Sequence, residues 1–491
     1  MRDWLIHIKR GEYASLQTQI REALVSAILD RQLDQQEPIP STRKMAKSLG
    51  VSRNTVVLAY QGLMDDGYLQ ARQRSGYFVA DKALEDHVPR KNAKAVAERP
   101  KHAGLNWDNL VKSHPSQQRN SEKPRNWQDY QYPFIYGQVD HNLFPLAEWR
   151  DCTRQALGKK WLGDWTNDAS AADDPLLVEQ IRRRILPRRG IMASDDEILV
   201  TVGGQNAIFL ICALLVSRDT RVAMEDPGYP DMRNIFALHT QQMTLAPVDA
   251  HGLVLGEALD DVNLVYTTPS HQFPTTVTMP LERRMGLLKK ASEKNFIIIE
   301  DDYEFETNYV NEPCPALKSL DDDGRVIYVG SLSKTLFPGL RIGFMVGPRA
   351  FIAEARALRR LMVRHAPSNN QRTAALFLSL GHHDALIRKL HKAYRTRWEI
   401  MGDALSKHLP SSTRIPSFGG TSFWVKGPAK LDSDQLGQDA QEKGILINPG
   451  RICFGAASGP RNYFRLAFSS IDEKKIEPGI RLLADLIKQN T

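Results

Sequence analysis

The chain has 491 residues, room for two or three domains, and its 42% hydrophobic and 25% charged residues exclude a fibrous or wholly disordered protein. The apolar run Ile208–Val216 falls far short of the ~20 residues of a membrane span. The first residues, MRDWLIHIKRGEY, show no secretory leader, and Cys152, Cys212, Cys314 and Cys453 form no CxxC pair, so a cytoplasmic protein with no membrane association and no metal site is expected.

Residues 1–80 read as a small domain. Leu16, Ile20, Leu24 and Ile28 recur every four residues and mark one face of a helix. Pro38 and Pro40 stop its continuation. Ser41 is placed to cap a second helix with Met45, Ala46 and Leu49 inward, Gly50 supplies a turn, and Ser52 caps a third helix whose buried stripe is Val56, Ala59, Tyr60 and Leu63. After Gly67, the segment Tyr68–Ala80 reads as a short hairpin around Gly76. Residues 81–130, rich in Lys, Arg, Asn, Ser, Gln and Pro, read as a flexible basic linker. From 131 to 491, apolar runs at Ile198–Val202, Arg221–Met224, Val262–Tyr266, Phe296–Ile299 and Arg325–Val329 alternate with helical stretches such as Leu281–Lys294. That alternation predicts an α/β domain with a mostly parallel sheet.

The net charge of +8 is unevenly placed. The first 125 residues hold 21 Lys/Arg against 14 Asp/Glu, and the remaining 366 carry a surplus of only +1, which directs the N-terminal part toward a polyanion. The segment LGVSRNTVVLAYQGL has the turn and polar first helical turn of a helix–turn–helix. Arg53 suits guanine, Asn54 suits adenine or a phosphate, and Ser41, Arg43, Ser52 and Thr55 suit the DNA backbone. Each alone also fits an ordinary capped helix.

In the large domain, YVGSLSKTLFPGLRIGF sets an amine (Lys334) beside two hydroxyls (Ser331, Ser333) and a guanidinium (Arg341), the groups an aldehyde cofactor with a phosphate requires. A second strand runs into Glu300, Asp301, Asp302 and Tyr303. A carboxylate at a strand end can keep a pyridine nitrogen protonated. Gly203, Gly204 and Gln205 join a strand to a helix, where bare N–H groups favour phosphate. A further strand ends in EDPGYP, with Tyr229 available to stack on a ring.

Residues 40–80 resemble the winged helix–turn–helix of GntR-type regulators, through Pro40, Ser41, Arg43, Leu49, Gly50, Val51, Ser52, Arg53, Thr55, Val56, Tyr60, Leu63, Gly67, Gly76 and Phe78. Residues 131–491 resemble the fold-type I aminotransferases, which bind pyridoxal 5′-phosphate. The resemblance implies Lys334 as the cofactor-linked lysine, Asp301 as partner of the pyridine nitrogen, Tyr303 as partner of the ring hydroxyl and Tyr229 as the stacking aromatic. It implies Gly204, Gln205, Ser331, Ser333 and Arg341 at the phosphate, and Arg465 on a substrate carboxylate. Together the two halves resemble MocR/GabR-type bacterial regulators, and TTPSHQFP, EDPGYP and IIIEDDYEFE are close to that subfamily's wording.

The sequence departs from the pattern in several places. The loop before Pro40, with Arg31 and Gln36, lacks the family's glycines. Thr276 stands where glycine is usual, and ASAADDPLLVEQIRRRIL lacks its segment's usual glycine and arginine. Asp231 replaces an arginine of the GABA-responsive member, which disfavours GABA and suits an effector with an additional cationic group. The expectation is a homodimer that binds double-stranded operator DNA, nucleoid-associated when bound, and controls a catabolic or transport operon. A small amine or amino acid would be sensed by external aldimine formation at Lys334, gripped by Arg465 and Asp231. An active aminotransferase carrying a DNA module, or a sensor of the cofactor itself, remain alternatives, and weak half-transamination is compatible with the residues present.

Overall fold

The structure, a computed structural model, describes residues 8–9, 14–73, 75–84, 105–121, 123–135, 137–309, 314–410, 419–456 and 459–490. The chain divides into a unit ending at Leu110 and a second running from Val111 to the C-terminus.

In the first unit, α1 (Leu16–Leu29), α2 (Thr42–Leu49) and α3 (Arg53–Asp65) are followed by β1 (Leu69–Arg72) and β2 (Gly76–Val79), an antiparallel hairpin. Ser41 Oγ accepts from Lys44 N at 3.3 Å, Ser52 Oγ accepts from Thr55 N at 3.1 Å, and Gly50 closes α2 with φ +64°. These caps satisfy helix-end N–H groups that would otherwise lack partners. Ile20, Leu24, Val56, Ala59, Tyr60 and Leu63 form the buried core. The Tyr60 phenol donates to Pro40 O at 2.9 Å and meets the Tyr77 ring edge-on at 5.1 Å, tying α3 to both the loop before α2 and the hairpin.

The second unit is built on an eight-stranded sheet. Its strands are β3 (Ile198–Thr201), β4 (Val222–Asp226), β5 (Met243–Asp249), β6 (Gly252–Leu253), β7 (Leu264–Thr267), β8 (Ile297–Asp302), β9 (Val326–Ser331) and β10 (Gly343–Val346). Their order is β3-β10-β9-β8-β7-β4-β5-β6. From β9 to β5 every pairing is parallel. β10 runs antiparallel to both β9 and β3, and β6 antiparallel to β5. The interior strands are buried on both faces, which is why they read as unbroken apolar runs. Alternate residues serve opposite cores: Leu199, Ile327, Val329 and Met345 pack toward α4 (Gly204–Leu215) and α7 (Arg349–Val363). Val200, Tyr328 and Phe344 pack toward the opposite side. Two further helices of this half are α5 (Pro230–His239) and α6 (Leu281–Lys294), and a smaller sheet, β11 (Ser422–Lys426), β13 (Tyr463–Ala467) and β12 (Asn448–Pro449), stands in that order beyond them.

The five apolar runs and helix 281–294 coincide with observed elements, but two strands escape the sequence pattern. β5 contains Pro247 and is half exposed, and β10 begins in the last two residues of the segment read as a phosphate-site motif. Much of the stretch read as a flexible linker, residues 85–104, lies outside the described residues, as does most of the N-terminal stretch expected to carry no secretory leader (1–7 and 10–13). The 81–130 boundary differs at its C-terminal end, where residues from 111 onward belong to the large unit. There Gln118 Nε2 donates to Asn234 O at 3.0 Å, and Arg119 Nη2 to Phe454 O at 3.0 Å and Gly455 O at 2.9 Å. Polar composition concealed these anchors, because each is a hydrogen bond to backbone rather than an apolar contact.

Two departures from the family pattern acquire reasons. Thr276 has φ +64°, the left-handed region where glycine is at ease, and its N–H donates to Gln272 O at 2.7 Å. Asp173 and Asp174 are buried. Asp173 receives Arg356 at 2.7 Å and Arg359 at 2.5 Å, while Asp174 receives Arg372 at 2.6 Å. Among the described residues no helix is long and apolar enough to cross a membrane.

At the turn from β3 into α4, Gly203 takes φ +80°, and a Cβ on neighbouring Gly343 would lie 2.7 Å from the Gly203 carbonyl carbon. Backbone cannot yield as a side chain does. Gly343→Ala is expected to lower stability by about 1–3 kcal/mol, read as a lower denaturation midpoint with an unchanged denaturant slope.

Candidate functional site

In the N-terminal unit, the six residues expected at DNA separate into two groups. The hydroxyls of Ser41 and Ser52 cap their helices, and Thr55 Oγ1 lies 2.8 Å from Ser52 Oγ. Arg43, Arg53 and Asn54 are exposed at or near the helix starts, and Arg53 Nε is steadied by Thr42 Oγ1 at 3.5 Å. Three polar side chains therefore point to solvent from a capped, rigid corner, as groove recognition requires.

In the large unit the carboxyl ends of parallel strands converge, the usual place for a ligand in such a sheet. β8 contributes three carboxylates in succession, and strand alternation separates them. Asp302 is buried against Arg189 Nε at 2.7 Å and accepts from the Tyr328 phenol at 3.0 Å. Burial pushes Asp302 upward, but the Arg189 charge outweighs it and leaves the carboxyl below its ordinary range. Glu300 accepts from the N–H groups of Leu317 and Lys318, each at 2.8 Å, with Arg284 at 3.6 Å. Burial and then Asp302 raise it to about 7. Asp301, between them, faces the other way into a cavity of about 170 Å³. There the Tyr266 phenol donates to Asp301 Oδ2 at 2.6 Å, and burial lifts the carboxyl to about 7.

Gly204, Gln205, Tyr229, Asp301, Tyr303, Ser331, Ser333, Lys334 and Arg341 all line this one cavity, as do Tyr266, Thr268 and Phe273. Lys334 is buried. Desolvation lowers its amine to about 8, against the opposing charge of Glu304, and the neighbouring cations Lys123 and Arg465 lower it further. Because β10 is antiparallel, Arg341 at its start reaches the same sheet edge as the carboxyl ends of β8 and β9. Arg341 Nη2 donates to Val202 O at 2.8 Å, and a Cβ on Gly203 would come within 2.9 Å of that nitrogen. Ser333 N donates to Ser331 Oγ at 3.2 Å. Tyr229 has its phenol 2.9 Å from Gln205 Oε1 and 3.0 Å from Asp231 Oδ2, and its ring meets Phe273 edge-on at 5.3 Å.

A second cavity, about 220 Å³, shares Tyr229, Phe273 and Lys334 with the first and brings in Asp231 and Arg465, the two residues expected to hold an effector. Arg465, on β13, is 2% exposed. Its Nε donates to Ser422 Oγ at 2.7 Å, and its guanidinium lies 4.5 Å over the Phe273 ring.

Several neighbours were missed by sequence reasoning. Tyr266 ends an apolar run and carried no separate signal. Glu304 follows Tyr303 directly and receives the Thr421 hydroxyl. His271 was not missed: the sequence reading placed it, with Gln272, in the stretch where ordinary aminotransferases carry an asparagine beside the cofactor, and left its role open. It is buried with neither ring nitrogen partnered among the described residues, and burial holds the imidazole below its ordinary range. Lys123 lines the second cavity from a stretch read as linker.

An amine, a buried carboxylate and a bare glycine turn beside a guanidinium form a donor set that fits pyridoxal 5′-phosphate, whose handles are an aldehyde, a ring nitrogen and a phosphate.

Comparison with known proteins gives concordant matches. The family profile of aminotransferase class I and II matches residues 172–483, and that of the bacterial regulatory proteins of the gntR family matches residues 16–79. The transcriptional regulator TauR of Rhodobacter capsulatus is 43% identical over 484 residues, covering 97% of this chain and 98% of that protein. The probable rhizopine catabolism regulatory protein MocR of Rhizobium meliloti is 29% identical, covering 98% and 95%. Among solved structures, the kynurenine aminotransferase of Pyrococcus horikoshii superposes with a TM-score of 0.72 at 30% identity, covering 78% of this chain and 98% of that one.

Without cofactor, an ionised Asp301 is unfavourable in the fold, because its folded value of about 7 exceeds that of an unfolded aspartate. Its contribution to stability is intact below ~4 and declines as pH rises toward 7. Cofactor-free Asp301→Asn should therefore gain on the parent between pH 5 and 8, by on the order of 2 kcal/mol, compared by denaturation midpoints at the two pH values.

Proposed function

Because the chain belongs to the MocR/GabR-type regulators, in which a gntR-family DNA-binding module is joined to a class I and II aminotransferase body, we propose that it senses a small amine or amino acid through pyridoxal 5′-phosphate held at Lys334. The observation that carries this reading is the shared wall between two cavities. Lys334, Tyr229 and Phe273 line both the site that fits the cofactor and the space holding Arg465 and Asp231. An amine entering the second cavity thus meets Lys334 directly.

Bound there, pyridoxal 5′-phosphate supplies an aldehyde that condenses reversibly with primary amines. The chain's own residues do the rest. Asp301 holds the ring nitrogen with its charge, steadied by the Tyr266 phenol. Tyr303 sits at the ring hydroxyl. Ser331, Ser333, Arg341 and the N–H groups of Gly204 and Gln205 hold the phosphate. Arg465, fixed by Ser422 and Phe273, takes the acid group of an effector. Burial lowers the Lys334 amine to about 8, so near physiological pH a far larger share of it is neutral than for an ordinary lysine, and that share would be able to bond a carbonyl carbon without first losing a proton. A ligand that favours one conformation of the body shifts the population of that conformation. In this reading the protein is a cytoplasmic homodimer with paired DNA modules on a two-half-site operator of a catabolic or transport operon.

The whole-length match to TauR favours regulation over metabolism. The likeness to the Pyrococcus kynurenine aminotransferase favours a second reading, residual aminotransferase activity. Sustained turnover of an amino acid with 2-oxoglutarate at ~1 per second or faster supports the second; a single half-reaction that stops supports the first.

Lys334→Ala is expected to abolish borohydride-trapped cofactor on the chain while retaining operator binding. In the parent protein, the rate of cofactor attachment, followed by visible absorbance, should rise with pH and level off above about 8 rather than near the ordinary lysine value. For the DNA module, Arg43→Ala should weaken operator binding and reduce the slope of log K against log salt by about 1, the signature of one lost phosphate contact.

A further inference from the structure

The exposed face of α3 does not end with the polar groups of its first turn. Val56, Ala59, Tyr60 and Leu63 are buried on one side of the helix, and Arg53, Asn54, Val57, Leu58 and Gln61 are exposed on the other. Val57 follows Asn54 by three residues and Arg53 by four, the spacing that sets side chains one above another on a helix. Val57 is 37% exposed and Leu58 48%. Among the described residues of α1, α2, α3 and the hairpin, they are the only large apolar side chains left so open. A single exposed apolar side chain needs no partner. These two are adjacent, and they continue the stripe of Arg53 and Asn54. A β-branched residue also loses rotamer freedom in a helix, so Val57 serves the free helix poorly in propensity as well as in burial.

The surroundings favour DNA as the occupant. The first turn of α3 holds no acid group, and the two at its far end are engaged: Asp65 accepts from Gln61 Nε2 at 2.9 Å, and Asp66 pairs with Arg21. The stripe is held in place by the Ser52 cap and by the bond from the Tyr60 phenol to Pro40 O. Along the axis Val57 stands about 4.5 Å beyond Asn54, at ~1.5 Å per residue, and stacked bases are ~3.4 Å apart. A helix whose first turn meets one base pair therefore brings Val57 over the next one or two. The floor of the major groove offers one apolar group, the C5-methyl of thymine.

Resting on the reading that α3 enters the major groove of an operator, we propose that Val57 is a specificity-determining residue that packs on a thymine methyl beside the base pair met by Arg53 and Asn54. Each operator half-site then carries a thymine at a fixed offset from the base those two side chains hydrogen-bond. Selectivity at that thymine comes from apolar contact and is independent of salt.

The test uses the full-length protein and DNA that it selects. Double-stranded oligonucleotides of random sequence are carried through repeated rounds of binding at fixed salt. The enriched site is then remade with each thymine in turn, at equivalent places in both half-sites, replaced by deoxyuridine, which keeps every hydrogen-bonding group and lacks only the methyl. At one thymine the parent should lose about fourfold in affinity per half-site, the worth of one buried methyl group. Val57→Ala should bind the thymine and deoxyuridine forms equally, with an unchanged slope of log K against log salt, because no phosphate contact is lost. Leu58→Ala, altered at the neighbouring exposed position, should keep the parent's preference. Comparing two DNAs with one protein cancels any general effect of a substitution, and alanine is a good helix former at an exposed position. The inference is overturned if no thymine of the enriched site responds to loss of its methyl, if Val57→Ala keeps the parent's preference, or if Leu58→Ala abolishes it instead. Failure to enrich any sequence condemns instead the reading of this module as an operator binder, so the two failures are told apart.

Discussion

The ion pair between Arg189 and Asp302 is the constraint on which the cavity depends. Three consecutive carboxylates at the end of a buried strand would repel one another and resist burial. Arg189 neutralises one, and also donates to Ser270 Oγ at 2.8 Å and Cys314 O at 2.8 Å, so its guanidinium is satisfied on several sides. Arg284 and two backbone N–H groups provide for Glu300. With the flanking pair settled on one face of the sheet, Asp301 is left on the other as the carboxylate presented to the cavity. The acidity of this motif divides into two structural charges and one available for chemistry.

A second buried carboxylate works in the same manner. Glu225, at the end of β4, accepts from the Thr267 hydroxyl at 2.6 Å, Thr268 N at 3.1 Å, the Thr268 hydroxyl at 2.6 Å and Gln272 Nε2 at 3.1 Å. It thereby joins the end of β4 to the loop carrying Gln272 and Phe273. Phe273 in turn supports the Arg465 guanidinium. The Arg465 guanidinium and the end of β4 are connected through this chain of contacts, which would be weak in water and is strengthened by its burial.

Much of this was legible in the sequence, for identifiable reasons. Parallel strands buried on both faces write themselves as apolar runs, and the residues that follow them, such as Asp301, Ser331 and Lys334, are where ligands gather in such sheets. Helix caps at Ser41 and Ser52 were readable because their chemistry is local. What stayed hidden depends on distant partners. β10 is a strand only because β3 and β9 lie on either side. Lys123 belongs to the site only because backbone carbonyls far along the chain hold its segment. No periodicity marks a residue whose place is set by hydrogen bonds to main-chain atoms.

The reversed strand β10 has a temporal consequence. Synthesis delivers β3 and the Gly203–Gly204 turn early, yet the partner that holds β3 in the sheet, and the guanidinium beside that turn, come from residues 341–346. Pairing of such distant segments is slow to reward the chain. The nascent protein therefore leaves the ribosome with an incomplete anion cradle until most of the body has emerged. A cofactor phosphate held at this cradle would thus be captured late in biogenesis, once β10 has locked β3 and its turn into the sheet.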